Sequence, residues 1–161
     1  MKGFCKGFLY AASGIGRTFI EEKNMRFHIV LSVYMYCYLL IYDFFTLSKG
    51  DWAAIVLATV LVLGAELLNT AVEKSVDLCT QNIHPLAKFA KDASAGAVLI
   101  CAIGAVVVGI IVLWQPSAFA KMYLYYKSHV SMLIVLIVSI AVSVFFVLKS
   151  PKKKNSPFGG N

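Results

Sequence analysis

Apolar positions fall into four long runs: Ile29 to Phe45, Trp52 to Ala65, about Ala95 to Trp114, and Val130 to Leu148. Each approaches or reaches the roughly 20 residues that cross a bilayer as an α-helix. The pattern therefore predicts membrane helices at about 27–46, 51–79, 86–114 and 129–148. The second run is interrupted by polar residues from Glu66 onward, but these recur at helical spacing, so the helix is expected to continue to about Leu78 with one polar side. Ahead of the first run, GFCKGFLYAASGIGRTFIEEKN mixes Phe4, Phe8, Ile15, Phe19 and Ile20 with Lys6, Arg17, Glu21, Glu22 and Lys23. That mixture predicts an amphipathic helix over 3–24 lying on the membrane surface. The expected fold is an all-α integral membrane protein, an amphipathic N-terminal surface helix plus four transmembrane helices.

Composition agrees. Hydrophobic residues make up 60% of the 161 positions, charged residues only 14%, and mean hydropathy is +0.78, which excludes an ordinary soluble domain. Charge adds orientation. Every Lys and Arg except Lys49, Lys121 and Lys127 falls on one side of a four-span chain. The positive-inside bias then puts both termini and the connection at 79–92 in the cytoplasm. The net charge of +7 is thereby read as membrane anchoring, not a nucleic-acid surface. The first long apolar run begins only after Arg26 and has no small-residue cleavage site behind it, so no signal peptide is expected. Cys5, Cys37, Cys79 and Cys101 lack metal-ligand spacing and read as small apolar residues. Residues 115–128, with Pro116 and several aromatics, read as an outer interfacial belt. The KSPKKKNSPFGGN tail reads as disordered and close to anionic lipid.

The candidate chemistry lies in AELLNTAVEKSVDL, residues 65–78. At 100° per residue, Glu66, Asn69, Glu73 and Asp77 share a stripe about 80° wide and about 16 Å long. Polar contacts between membrane helices would explain a lone Asn69. They explain three acids poorly, since an ionised carboxylate at mid-membrane costs about 2.5–3.5 kcal/mol and these three also repel one another. A divalent cation such as Mg²⁺, bound with an anionic phosphate substrate, balances them better. Lys74, in the same stretch, points off the centre of the stripe. Glu66, deepest in the apolar run, suits a general base for a hydroxyl arriving from lipid. Glu73, nearer water, suits Mg²⁺ coordination to a soluble nucleotide, and Asn69 between them suits orientation of either partner. Neither a Walker motif nor a kinase glycine loop is present. Downstream, His84 and Pro85 break the chain before a new helix. Lys91 and Asp92 near its start are either a solvated pair or a phosphate clamp. The competing reading is a small cation or proton transporter with the acids as relay. A relay should reach the far side, yet Val56 to Ala65 offers only Thr59 as a polar side chain.

AELLNTAVEKSVDL followed by HPLAKFAKDASAGA resembles the prokaryotic diacylglycerol kinase family, which includes undecaprenol kinases. The resemblance covers about residues 3–114, and Gly7, Tyr10, Gly14 and EEKNMRFH support it. It implies a lipid kinase core over 1–114, a surface helix and three membrane helices, with residues 115–161 as an extra span and basic tail. It also implies a homotrimer in the bacterial cytoplasmic membrane that uses ATP and Mg²⁺ to phosphorylate a lipid alcohol, undecaprenol or diacylglycerol, at sites between subunits. By position, Glu66 would be the catalytic base, Asn69 an active-site polar group, and Glu22 and Glu73 the metal ligands. Lys91 and Asp92 would contact ATP. Tyr10 and the turn from Asn82 to His84 would line the nucleotide pocket, and Asp77 would be structural or catalytic. Two departures from the family pattern are residues 129–161 and Gly3, where some members carry arginine. The closeness of HPLAKFAKD to the Gram-positive type favours undecaprenol as the acceptor.

Overall fold

The computed structural model describes residues 2–80, 82 and 84–149, with side chains from residue 6 onward; residue 83 of the 82–84 turn and the lysine-rich tail lie outside the described residues. Six helices and no strand occur among them: α1 (Lys2–Glu21), α2 (Lys23–Ile41), α3 (Lys49–Cys79), α4 (Pro85–Leu113), α5 (Pro116–Ser128) and α6 (Val130–Leu148). Helices α2, α3, α4 and α6 are long and apolar enough to cross a membrane. The surface helix and four spans expected from the sequence are therefore present.

Two boundaries differ from the hydrophobic pattern. The amphipathic segment ends at Glu21 because Glu22 is extended (φ −102°, ψ 121°), and α2 starts at once at Lys23. Helix α2 also stops at Ile41, before its apolar run ends, and Phe44 is tucked in as a buried loop residue. The aromatic stretch after Gln115 is itself a helix, α5, begun by Pro116, whose fixed φ and missing N–H suit a first turn.

Helices α3 and α4 form the main hairpin. Ser48 caps α3: its hydroxyl accepts from Asp51 N–H at 3.2 Å, and the Asp51 carboxylate accepts from Ser48 N–H at 2.8 Å. With 31 residues, α3 is about 46 Å long against a hydrocarbon layer of about 30 Å. Counted from the Ser48 cap, some 20 residues span that layer. Glu73 and Asp77 stand about 10 and 16 Å beyond Glu66 along the helix axis. The outward faces are apolar. Leu99, Ile100, Ile103, Val106, Ile110 and Ile111 of α4 are 56–75% exposed, a surface for lipid or another membrane helix but not for water. Helix α6 packs along α2, where Tyr34 and Ser143 share a 3.0 Å hydrogen bond.

Candidate active site

The acid-bearing end of the bundle gathers the C-termini of α1, α3 and α6 with the N-termini of α2 and α4. Glu66, only 2% exposed, is the most enclosed acid of the chain. Its Oε1 lies 3.4 Å from Nε2 of His28, in the second turn of α2. Asn69, one helical turn on, is also buried. Its Nδ2 donates to Glu73 Oε1 at 3.1 Å, and its Oδ1 accepts from Ser94 Oγ at 2.6 Å. Ser94 Oγ also sits 2.9 Å from the Lys91 carbonyl. With one proton, the hydroxyl serves one acceptor at a time. While it donates to Asn69 Oδ1, it fixes the amide so that Nδ2 faces Glu73. The polar stripe is thus an ordered chain from α4 through Asn69 to the Glu73 carboxylate.

Helix α1 brings two further acids. Lys74 Nζ lies 3.5 Å from Glu21 Oε2 and 3.5 Å from Glu22 Oε1, so this off-stripe lysine joins α3 to the α1–α2 elbow. Arg17 pairs with Glu21 one turn back, also at 3.5 Å. Glu66 feels the negative charges of both Glu22 and Glu73, so the three carboxylates share one electrostatic neighbourhood. Glu21, Glu22 and Asp77 meet Arg or Lys, whereas Glu66 meets an imidazole and Glu73 a carboxamide.

The remaining expected residues spread over the rim. Lys91 Nζ contacts Asp77 Oδ1 across the hairpin, not its neighbour Asp92, which is exposed. Successive residues on a helix point about 100° apart, so adjacency in sequence does not make a pair. Asp77 lies in the last turn of α3, at the negative end of the helix dipole, where a cation is favourable. His84 caps α4, its Nδ1 accepting from Leu86 N–H at 3.2 Å. Asn82 is exposed and tied to Thr80 through its backbone. Tyr10 stands 74% exposed on α1. The single chain thus gathers Glu66, Asn69 and Glu73, with Glu22 tied to the same helix through Lys74, and leaves Tyr10, Asn82, His84 and Asp92 exposed.

Sequence reasoning missed His28, Ser94 and the bridging role of Lys74. Of these, His28 carried a signal: an ionisable residue early in a membrane span is a functional candidate in its own right. Ser94 carries no such signal.

A family model described as prokaryotic diacylglycerol kinase matches residues 9–113. The chain belongs to the prokaryotic diacylglycerol kinase family. By family it is a membrane lipid kinase. It is 42% identical over 110 residues to the undecaprenol kinase of Bacillus subtilis, an alignment covering 68% of this chain and 86% of that relative. It is 41% identical over 110 residues to the diacylglycerol kinase of a Synechocystis species, covering 68% of this chain and 61% of that protein. With the diacylglycerol kinase of Escherichia coli K12 it shares 32% identity over 109 residues, 66% of this chain and 84% of that one. Within this diacylglycerol kinase family member, helices α5 and α6 follow the matched segment.

The donors suit a hard cation: carboxylate oxygens, one of them oriented by an amide. Among the described residues no group of three or more His, Cys, Asp or Glu side chains is close enough to enclose a metal unaided. That donor set fits Mg²⁺, which keeps one or two protein carboxylates and completes its octahedron with phosphate oxygens and water.

Proposed function

We propose that the chain transfers the γ-phosphate of ATP to the hydroxyl of undecaprenol at the cytoplasmic membrane face, with Mg²⁺, as a homotrimer. The observation that carries this reading is the graded stripe of α3: Glu66 enclosed at 2% exposed, then a half-buried Glu73 and an exposed Asp77. The similarity to the Bacillus subtilis undecaprenol kinase favours a polyprenol over a diacylglycerol acceptor.

In this mechanism Glu66 accepts the proton of the lipid hydroxyl as its oxygen attacks the γ-phosphorus. The bond to the bridging β–γ oxygen breaks and ADP leaves. A carboxylate is the right base here because it sits where an amphiphilic alcohol presents its head. Glu22 and Glu73 would hold Mg²⁺, and the bound ion would supply positive charge for the phosphate oxygens of ATP. Asn69 keeps the Glu73 carboxylate aimed, a pre-ordering that lowers the cost of assembling the site. Lys91, released from Asp77, and Asp92 contact the nucleotide, with Tyr10 and the 82–84 turn along its edge. The apolar flank of α4 supports subunit packing, and residues from a neighbouring copy complete the rim.

The test offers purified protein in lipid nanodiscs labelled ATP and Mg²⁺ with undecaprenol or diacylglycerol. Label is expected in the polyprenol phosphate, with less in phosphatidic acid. Absence of label in either lipid overturns the kinase reading, and faster labelling of diacylglycerol overturns the choice of acceptor.

A further inference from the structure

Four buried residues cluster at the α1–α2 elbow: Thr18, Met25, Arg26 and, from α6, Val147, all between 3% and 8% exposed. At their centre is Arg26, a cation only 4% exposed whose partners among the described residues are carbonyls and not acids. Its Nη1 donates to the Ile20 carbonyl at 2.7 Å, in the last turn of α1. Its Nη2 donates to the carbonyls of Val147 at 3.2 Å and Lys149 at 3.0 Å, at the end of α6. Phe19 of α1 and Phe146 of α6 add a ring contact with centroids 5.9 Å apart.

The chemistry of this contact is specific. The last carbonyls of a helix lack intrahelical donors and carry the negative end of its dipole, so a buried guanidinium satisfies both needs. A planar fork reaches two helix ends at once, which a lysine ammonium does not do with fixed geometry. Two residues past Ile20 the chain reaches Glu22, the extended residue that breaks α1 from α2 and pairs with Lys74 of α3. The Ile20 carbonyl held by Arg26 therefore lies two residues before Glu22, on the backbone that leads into the elbow.

We propose that α6, the span beyond the family-matched segment, is a brace for the metal site: through its terminal carbonyls it locks Arg26, and Arg26 holds the α1–α2 elbow so that Glu22 faces Glu73. Arg26 is a positioning residue and touches neither nucleotide nor lipid. The inference rests on Glu22 and Glu73 as the Mg²⁺ ligands.

The experiment is a cycle of four full-length or shortened proteins: parent, Arg26→Met, a chain ending at residue 128, and both changes together. Mn²⁺ replaces Mg²⁺ and is titrated with a nonhydrolysable ATP analogue, bound metal being read by electron paramagnetic resonance. Loss of an outer support of a metal ligand lowers affinity about 10-fold or more, so each single change is expected to weaken Mn²⁺ by about that factor. Because the two act through one contact, the double change should weaken it little further. Arg26→Lys should fall between parent and Arg26→Met. Single changes that leave Mn²⁺ affinity within about twofold of parent, or effects that multiply, overturn the brace. Should the shortened chain fail to insert, Arg26→Met and Arg26→Lys in the full chain decide by the same affinities. A parent that phosphorylates no lipid overturns the kinase reading instead, so the two failures are separable.

Discussion

The two ends of the helix bundle solve the same problem in opposite ways. At the aromatic end, polar groups are closed by hydrogen bonds within the chain. Ser48 and Asp51 cap α3 reciprocally, and the Gln115 carboxamide both donates to and accepts from the Thr46 backbone at 3.1 Å. Rings pack tightly there: Tyr42 on Phe44 with centroids 4.9 Å apart, and both against Tyr125 at 5.4 and 5.5 Å. At the acid end, Glu73 is aimed by an amide and Glu66 lies beside an imidazole, while Glu21, Glu22 and Asp77 meet Arg or Lys. One end is finished within the chain, while at the other Glu66 and Glu73 are ordered without an Arg or Lys partner among the described residues. Orientation without neutralisation is what a site needs if a metal and a phosphate are to supply the missing charge.

If that contrast is real, the largest effect comes from the enclosed acid. Glu66→Gln keeps shape and loses the proton acceptor, so transfer to undecaprenol should fall by about 10²–10⁴-fold, with nanodisc-bound helicity unchanged. Retained turnover would remove Glu66 from the role of base. Next is the rim. Lys91→Ala removes a charge-assisted contact worth about 1.5–3 kcal/mol, and the Michaelis constant for ATP should rise about tenfold or more. Asp77→Asn, which frees the same lysine from an exposed pair worth about 1 kcal/mol at most, should change it far less. Equal effects from both changes would make the pair itself the functional unit.

How much of this was legible in the sequence follows the range of the interactions. Glu66, Asn69, Glu73 and Asp77 share one helix, so their common face is fixed by the 3.6-residue repeat and could be read directly. His28 opposite Glu66, Ser94 behind Asn69 and Lys74 against Glu22 join helices 20 or more positions apart, and only packing brings them together. The hinge at Glu22 was hidden for another reason. EEKN contains no Gly or Pro, so nothing local announces a break, and the elbow is held by Arg26 from outside the segment. The cap at His84, whose Nδ1 accepts from Leu86 N–H in the first turn of α4, was equally hidden.

The opposite end should respond in stability and not in turnover. Ser48→Ala removes an N-cap and should cost about 1 kcal/mol, seen as a lower midpoint of thermal unfolding in detergent. The Michaelis constant for ATP and the turnover number should stay within about twofold, because nothing at the Ser48 cap touches the carboxylate chain. A change in either constant would show that the two ends are coupled along α3, and the contrast drawn above would need a mechanical link.

The smallest effect at neutral pH, and the cleanest check of closure at the aromatic end, concerns Tyr126 of α5. Burial, then the hydrogen bond shared with Tyr38 of α2, pushes its phenol up from 10.0 to about 12. The sign follows from proton binding: between those two values the folded chain keeps a proton that the unfolded chain has released. The contribution of this group to stability is then fully present below pH 10 and declines as pH rises towards 12. Tyrosinate absorbance in the ultraviolet should show a late-titrating phenol that Tyr126→Phe removes, while lipid phosphorylation near neutral pH stays at the parent rate. An ordinary titration midpoint for this residue would mean that the α2–α5 contact opens to water, and that the aromatic end is less closed than its ring packing implies.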